Sequence, residues 1–105
     1  MGEARIYMKL HQAGGKIVLA ACDKELLGRV LQNGPLSYPV SEGFYGGDLV
    51  TEETFLKMVV EVSSSNVIGE YCVGLLIQSG LIESESVRSI GGIRHTQVYN
   101  INMDG

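Results

Sequence analysis

Arg5-Ile6-Tyr7-Met8-Lys9-Leu10-His11-Gln12-Ala13-Gly14-Gly15-Lys16-Ile17-Val18-Leu19-Ala20-Ala21-Cys22 is the stretch whose reading decides the fold. Up to Gln12 it alternates, with Ile6, Met8 and Leu10 on one face and Tyr7, Lys9 and His11 on the other, which is the period of a half-buried strand. Gly14-Gly15 then reads as a two-residue hairpin loop. Closing that loop sets Leu10 opposite Leu19 and Met8 opposite Ala21, so the apolar faces coincide; a slip of one residue would turn them apart. From Ile17 to Cys22 the chain is apolar on both faces, which places this second strand inside a sheet.

At the other end, Val87 to Ile90 and Ile93 to Ile101 read as two more strands joined by Gly91-Gly92 in another tight hairpin. Three helices are expected between the hairpins. The first is capped by Asp23, carries Leu26, Leu27, Val30 and Leu31, and stops at Gly34-Pro35. Thr51 caps the second, with Glu52 and Glu53 set against its dipole, Val50 stapled onto Phe55, and a core stripe of Phe55, Met58, Val59 and Val62. Ser63 to Asn66 interrupts the pattern. The third helix is marked by Ile68, Cys72, Leu75 and Leu76 and ends at Gly80, with Leu81 placed for a Schellman contact. Gly69 and Gly74 let another backbone come close to it. Ser37 to Ser41 suits a short strand, and Glu42 to Asp48, with Phe44-Tyr45-Gly46-Gly47, reads as a loop. The expected architecture is α+β, one compact domain over residues 1–105. It combines a small mixed or antiparallel sheet with N- and C-terminal hairpins packed against about three helices.

The composition fits such a domain. Of 105 residues, 45% are hydrophobic and 19% charged, far from the profile of a disordered chain. The longest apolar run, Ile17 to Cys22, is too short for a bilayer, and no basic-then-apolar leader opens the chain, so neither membrane nor secretion is expected. Cys22 and Cys72 stand far apart, which reads as two reduced thiols in a cytoplasmic protein. A net charge of -4 argues against generic DNA or RNA binding, which needs clustered Lys and Arg.

Four places could carry chemistry. Cys22-Asp23 sits at a strand-to-helix junction, where a thiol can gain reactivity or amides can hold an anion, unless Asp23 fills those amides and Cys22 packs inward. His95, Gln97 and Tyr99 share one face of the last strand, either as a solvated surface or as a ligand-reading one. Asn66 and Glu70, four apart, present an amide and a carboxylate together if both are helical; the plainer reading makes Asn66 a cap and Glu70 a first-turn acid. Tyr45 lies on the glycine-rich loop, where an aromatic ring can reach a partner. No metal is expected, since His11, His95, Cys22 and Cys72 lack ligand spacing, and no phosphate or dinucleotide motif calls for a cofactor.

Ala21-Cys22-Asp23-Lys24-Glu25-Leu26-Leu27-Gly28, Phe44-Tyr45-Gly46-Gly47, Asn66-Val67-Ile68-Gly69-Glu70 and His95-Thr96-Gln97, in this order and spacing, resemble an archaeal family of uncharacterised proteins, domain of unknown function family 424. The likeness runs over nearly the whole chain and departs from the family pattern at Arg94, where proline is expected. It implies an archaeal cytoplasmic protein with a loose link to translation or RNA, and it brings no established reaction. Two functions follow as expectations. The first is a binding or accessory domain whose aromatic loop and His95 face meet a protein, a small molecule or RNA. The second is a small enzyme in which Asp23, Glu70 and His95 converge in one cleft as acid/base and positioning groups, with Asn66 and Gln97 holding substrate. Under either function the candidate ligand-binding residues are Cys22, Tyr45, Asn66 and Gln97.

Overall fold

The computed structural model describes residues 2–100. The opening hairpin forms as its alternation requires: β1 (Ile6–Ala13) and β2 (Lys16–Asp23) pair antiparallel, with Leu10 opposite Leu19 and Met8 opposite Ala21. The closing hairpin consists of β7 (Arg88–Ile90) and β8 (Ile93–Tyr99) around Gly91-Gly92. Ile101, the expected end of that last strand, lies outside the described residues.

Between the hairpins the chain departs from expectation in three places. Residues 24–33 make no α-helix. Lys24–Leu26 forms a single 3-10 turn, and the chain then runs into β3 (Val30–Asn33) and β4 (Leu36–Pro39), a separate two-stranded ribbon. The apolar pairs 26/27 and 30/31 satisfy a helical period, but Gly28 at φ +87° breaks any helix there. Only one residue of the second pair is buried: Leu31 points in and Val30 points out, as in a strand. Gly34 (φ +64°) followed by Pro35 forms a hairpin turn between the two strands rather than a helix stop.

The second departure is at residues 42–48. Glu42–Tyr45 forms α1, a single turn capped by Ser41, whose hydroxyl accepts the Phe44 amide, and Asp48–Val50 forms β5 on the edge of β1. The third is at the serine-rich interruption, where Ser64–Ile68 is β6, a central strand parallel to β2 and antiparallel to β8. Serine and asparagine have little preference for strands, and here pairing on both sides overrides local preference.

The remaining helices follow the sequence closely. Thr51 caps α2 (Glu52–Glu61) by accepting the Thr54 amide. After α3 (Glu70–Gln78), Gly80 takes φ +79°, and the amides of Gly80 and Leu81 bond the carbonyls of Ile77 and Leu76, completing a Schellman motif.

The six-stranded sheet has the order β5-β1-β2-β6-β8-β7. One face packs under α2 and α3 through Ile6, Leu19, Ala21, Phe55, Val59, Val67, Cys72 and Leu76. The middle of the other face is covered by the β3–β4 ribbon and α1 through Ala20, Cys22, Leu31, Val40, Tyr45 and Ile68. That double cover is why β2 is apolar on both faces, and it identifies the fold as α+β with three helices and a mixed sheet.

Candidate functional site

Alternation along β6 and β8 sorts the polar residues between the two faces. Ser65 and Val67 of β6 and Arg94, Thr96 and Val98 of β8 turn toward α3. Asn66 turns to the ribbon side, as do His95, Gln97 and Tyr99. On that side Tyr45 rises from α1 and Tyr38 from β4, and four side chains meet.

Their hydrogen bonds form one directed chain. Tyr45 donates to Asn66 Oδ1 at 2.9 Å, so the 2.6 Å contact between the two phenols has Tyr38 donating to Tyr45. His95 Nε2 lies 3.0 Å from the same Oδ1. An amide oxygen only accepts, so Nε2 carries the proton and Nδ1 is the basic nitrogen. Neither Nδ1 of His95 nor Nδ2 of Asn66 has a hydrogen-bond partner among the described residues. Burial, reinforced by the Tyr38 hydroxyl, pushes the Tyr45 phenol far up, so it remains a donor. Burial also lowers the pKa of His95, which favours the neutral ring.

The lowered His95 value sets the sign of a pH effect. A histidine that resists protonation when folded but titrates near 6.5 when unfolded makes the folded state bind fewer protons, so stability falls as pH drops through 6.5. We expect melting temperature to fall more from pH 7.5 to 5.5 in the native protein than in His95→Gln. Equal falls in the two proteins would show that His95 is not the group responsible.

Asp23 and Glu70 do not join this group. Asp23 is 5% exposed, and its two carboxylate oxygens accept the amides of Tyr71 at 2.9 Å and Cys72 at 2.8 Å; it therefore caps α3, across the sheet, and not the turn that follows it. Its carboxyl carbon and Oδ1 occupy the space a Cβ on residue 69 would need, so the close approach at Gly69 is by a side chain. At Gly74 the neighbour is the Arg94 guanidinium. Glu70 is held by Arg94: Oε1 accepts from Nε at 2.8 Å and Oε2 from the backbone amide at 2.9 Å. Proline at 94 could make neither bond. Asn66, placed mid-strand, is no helix cap, and it shares no helical face with Glu70; Gly69 stands at the cap position. An acid/base set of Asp23, Glu70 and His95 is therefore not assembled.

Cys22 is fully buried in the ribbon-side cluster. Burial first, then the nearby Asp23 and Glu25 carboxylates, push its thiol up to about 12, the opposite of activation. The Cys72 thiol is raised still further, again chiefly by burial. Tyr45, offered as a mobile loop aromatic, is buried and structural. Its neighbour Phe44 stacks on His11 with ring centroids 5.0 Å apart.

Gln97 lies directly opposite Asn66 and reaches outward, where its Oε1 accepts from the Tyr99 hydroxyl at 2.9 Å. Arg88, opposite His95 on β7, stands beside them at an open hollow of about 430 Å³ that Ser86, His95, Gln97 and Tyr99 also line. A larger hollow, about 760 Å³, lies between the first hairpin turn and the end of α2; Lys16 and Glu61 line it, and of the strand residues beside His95 it reaches Tyr99 but neither His95 nor Gln97. Sequence reasoning misses Tyr38, visible only as an aromatic within a short expected strand; Arg88 stands out in the sequence only as one of two neighbouring arginines, offset by Glu83 and Glu85, and has no place there in a site.

Among the described residues no three His, Cys, Asp or Glu side chains gather as metal ligands, and no helix is long and apolar enough to cross a membrane. What the geometry offers is a hydrogen-bonding strip with one cation, Arg88, at its rim.

Comparison with known proteins places the chain. Residues 11–101 match the family described as "Protein of unknown function (DUF424)", and the chain belongs to that family. It is similar to the crystal structure of an uncharacterized conserved protein from Methanopyrus kandleri, with 27% identity and a TM-score of 0.82 over 97% of this chain and 96% of that one. No curated protein matches it.

Proposed function

We propose that this protein is a non-catalytic binding module that meets its partner through the strip formed by Arg88, His95, Gln97 and Tyr99. One observation carries this reading. The Tyr45 hydroxyl, Asn66 Oδ1 and His95 Nε2 are joined in one chain that starts at Tyr38, while Arg88, His95, Gln97 and Tyr99 line an open hollow. The carboxylates expected beside the histidine are engaged elsewhere, Asp23 on the α3 amides and Glu70 on Arg94, so neither forms an acid/base pair with His95. Such a chain fixes the ring of His95 and the amide of Asn66, which suits recognition by pre-positioned groups. The two buried thiols fit a reducing, cytoplasmic setting.

The test starts from the native protein purified from its source cells. Whatever co-purifies is identified and titrated into ¹⁵N-labelled protein. The expected result is amide shifts concentrated at Arg88, His95, Gln97 and Tyr99. Shifts on the α2–α3 face, or turnover of the added compound that His95→Gln abolishes, would overturn the reading.

Binding to single-stranded RNA has a limited form available. Arg88 is the cation beside the strip, and Arg94, on the opposite face, is paired with Glu70, so one phosphate is neutralised at the strip. A log–log salt slope no steeper than about -0.7 is expected, at about 0.7 per phosphate. A markedly steeper slope in a filter-binding series would contradict the charge argument.

A further inference from the structure

The backbone of β8 carries a feature that its side chains hide. At the two ends of its pairing with β6, the Asn100 amide bonds the Ser63 carbonyl at 3.0 Å and the Gly69 amide bonds the Arg94 carbonyl at 2.9 Å. Backbone groups alternate sides residue by residue along an antiparallel strand. Arg94, Thr96, Val98 and Asn100 therefore turn their N–H and C=O toward β6, and Ile93, His95, Gln97 and Tyr99 turn theirs outward. Ile93 and His95 face Ile90 and Arg88 of β7. Gln97 and Tyr99 lie past the end of that short strand.

The chain before β7 does not fill the gap. The Ser86 and Val87 amides bond the Glu83 and Ser84 carbonyls within their own 3-10 turn. Among the described residues, the outward amides and carbonyls of Gln97 and Tyr99 have no backbone partner. The 430 Å³ hollow lies at this gap. A strand residue occupies roughly 3.3 Å along the chain, 4.8 Å between strands and 10 Å between layers, so the space suits about three extended residues. On the ribbon face of β1, Lys9 Nζ donates to the Gly43 carbonyl at 3.0 Å and His11 Nε2 to the Phe44 carbonyl at 2.8 Å, which hold α1 beside β5. Past β5, Leu10 and Gln12 of β1 also turn backbone groups outward with no backbone partner among the described residues, and the hollow distinguishes the β8 edge from that one.

We propose that the outward edge of Gln97 and Tyr99 receives an extended acidic segment of a partner protein as an added strand. The inference rests on the binding-module reading and names its occupant. Alternating N–H and C=O groups are complemented by another peptide backbone, which neither a nucleic acid nor a helix provides. Arg88 supplies the charge preference: it is exposed at the rim of the hollow and has no ion pair among the described residues.

The probe is a fluorescent hexapeptide alternating valine and aspartate, with a lysine counterpart and a version N-methylated at alternate residues. The aspartate peptide should bind in the micromolar-to-millimolar range and shift the Gln97 and Tyr99 amides most. N-methylation on the ladder side should weaken binding at least tenfold, and Arg88→Glu should reverse the preference between aspartate and lysine peptides. Gln97→Pro removes one outward N–H while leaving the β6 ladder to Thr96 and Val98; it too should lose about tenfold. If that variant misfolds, the N-methylated peptide on the native protein still decides. Equal binding by the methylated peptide, or no shift at millimolar concentration, overturns strand addition. If RNA or a co-purified small molecule instead shifts His95 and Tyr99 while the peptides do not, strand addition fails and the binding face stands. A native partner that maps to another face removes both.

Discussion

Asp23→Ala should destabilise the protein by about 3 kcal/mol, well beyond an ordinary helix cap. A typical cap residue is worth about 1 kcal/mol because one exposed side-chain oxygen accepts one amide. Asp23 differs in two respects. Both oxygens are used, on the amides of Tyr71 and Cys72, and the group is buried between β2 and the start of α3. Hydrogen bonds to a charged group contribute about 1.5 to 3 kcal/mol, and removing the acceptor leaves buried donors unpaired. The same helix end is held from outside by Arg5, which lies 4.0 Å above the Tyr71 ring, and by the Tyr71 hydroxyl donating to Glu52 at 2.9 Å. Those contacts keep the first turn in place while its amides lose their acceptor. Asp23→Asn retains one accepting oxygen and should lose about half as much. Urea denaturation of the three proteins checks this, and a loss in Asp23→Ala near 1 kcal/mol would mean that the amides find water instead.

The hairpins were legible because each carries two independent signals, an alternating pattern and a Gly-Gly turn, that agree on one register. α2 was legible because its cap, acids and apolar stripe are all local. The region from Lys24 to Pro39 misled for the opposite reason: apolar pairs four apart serve a helix or a strand, and the choice was made by Gly28 and by what the chain packs against. β6 was hidden more deeply. Ser64, Ser65 and Asn66 carry no strand signal of their own, and the strand exists because β2 and β8 flank it.

That hidden strand explains how the candidate site came to be half read. His95, Gln97 and Tyr99 could be set on one face from period two alone, and the structure keeps them there. Asn66 was placed on a helix, beside Glu70, when it belongs to the strand beside His95. Once Asn66 is in a strand, alternation separates it from Glu70, and the carboxylates fall on the helix face while the amide and imidazole fall on the ribbon face. Asp23 was read correctly as a cap but for the wrong helix. A sequence shows that a side chain can accept amides; which amides arrive is decided by a crossover of nearly fifty residues.

Gly69→Ala should be at least as damaging as loss of the cap itself, about 4 kcal/mol, and the two changes should be coupled. Gly69 has φ +132° and ψ 145°, a region that only glycine occupies readily and that costs other residues about 1 to 3 kcal/mol. An alanine Cβ would also overlap the Asp23 carboxyl group. Residue 69 cannot relax to a negative φ without cost, because its amide is tied to the Arg94 carbonyl and its own carbonyl accepts the Val73 amide at the start of α3. The overlap and the backbone cost are separable. In the Asp23→Ala background the carboxyl group is gone, so Gly69→Ala should cost only the backbone part, and the double variant should be more stable than the sum of single losses by about 1 to 2 kcal/mol. Where either single variant is too unstable to measure, the cycle can be run with Asp23→Asn and with a stabilising osmolyte present throughout. Simple additivity would mean that Asp23 does not fill the space beside residue 69, and the cap geometry would have to be redrawn.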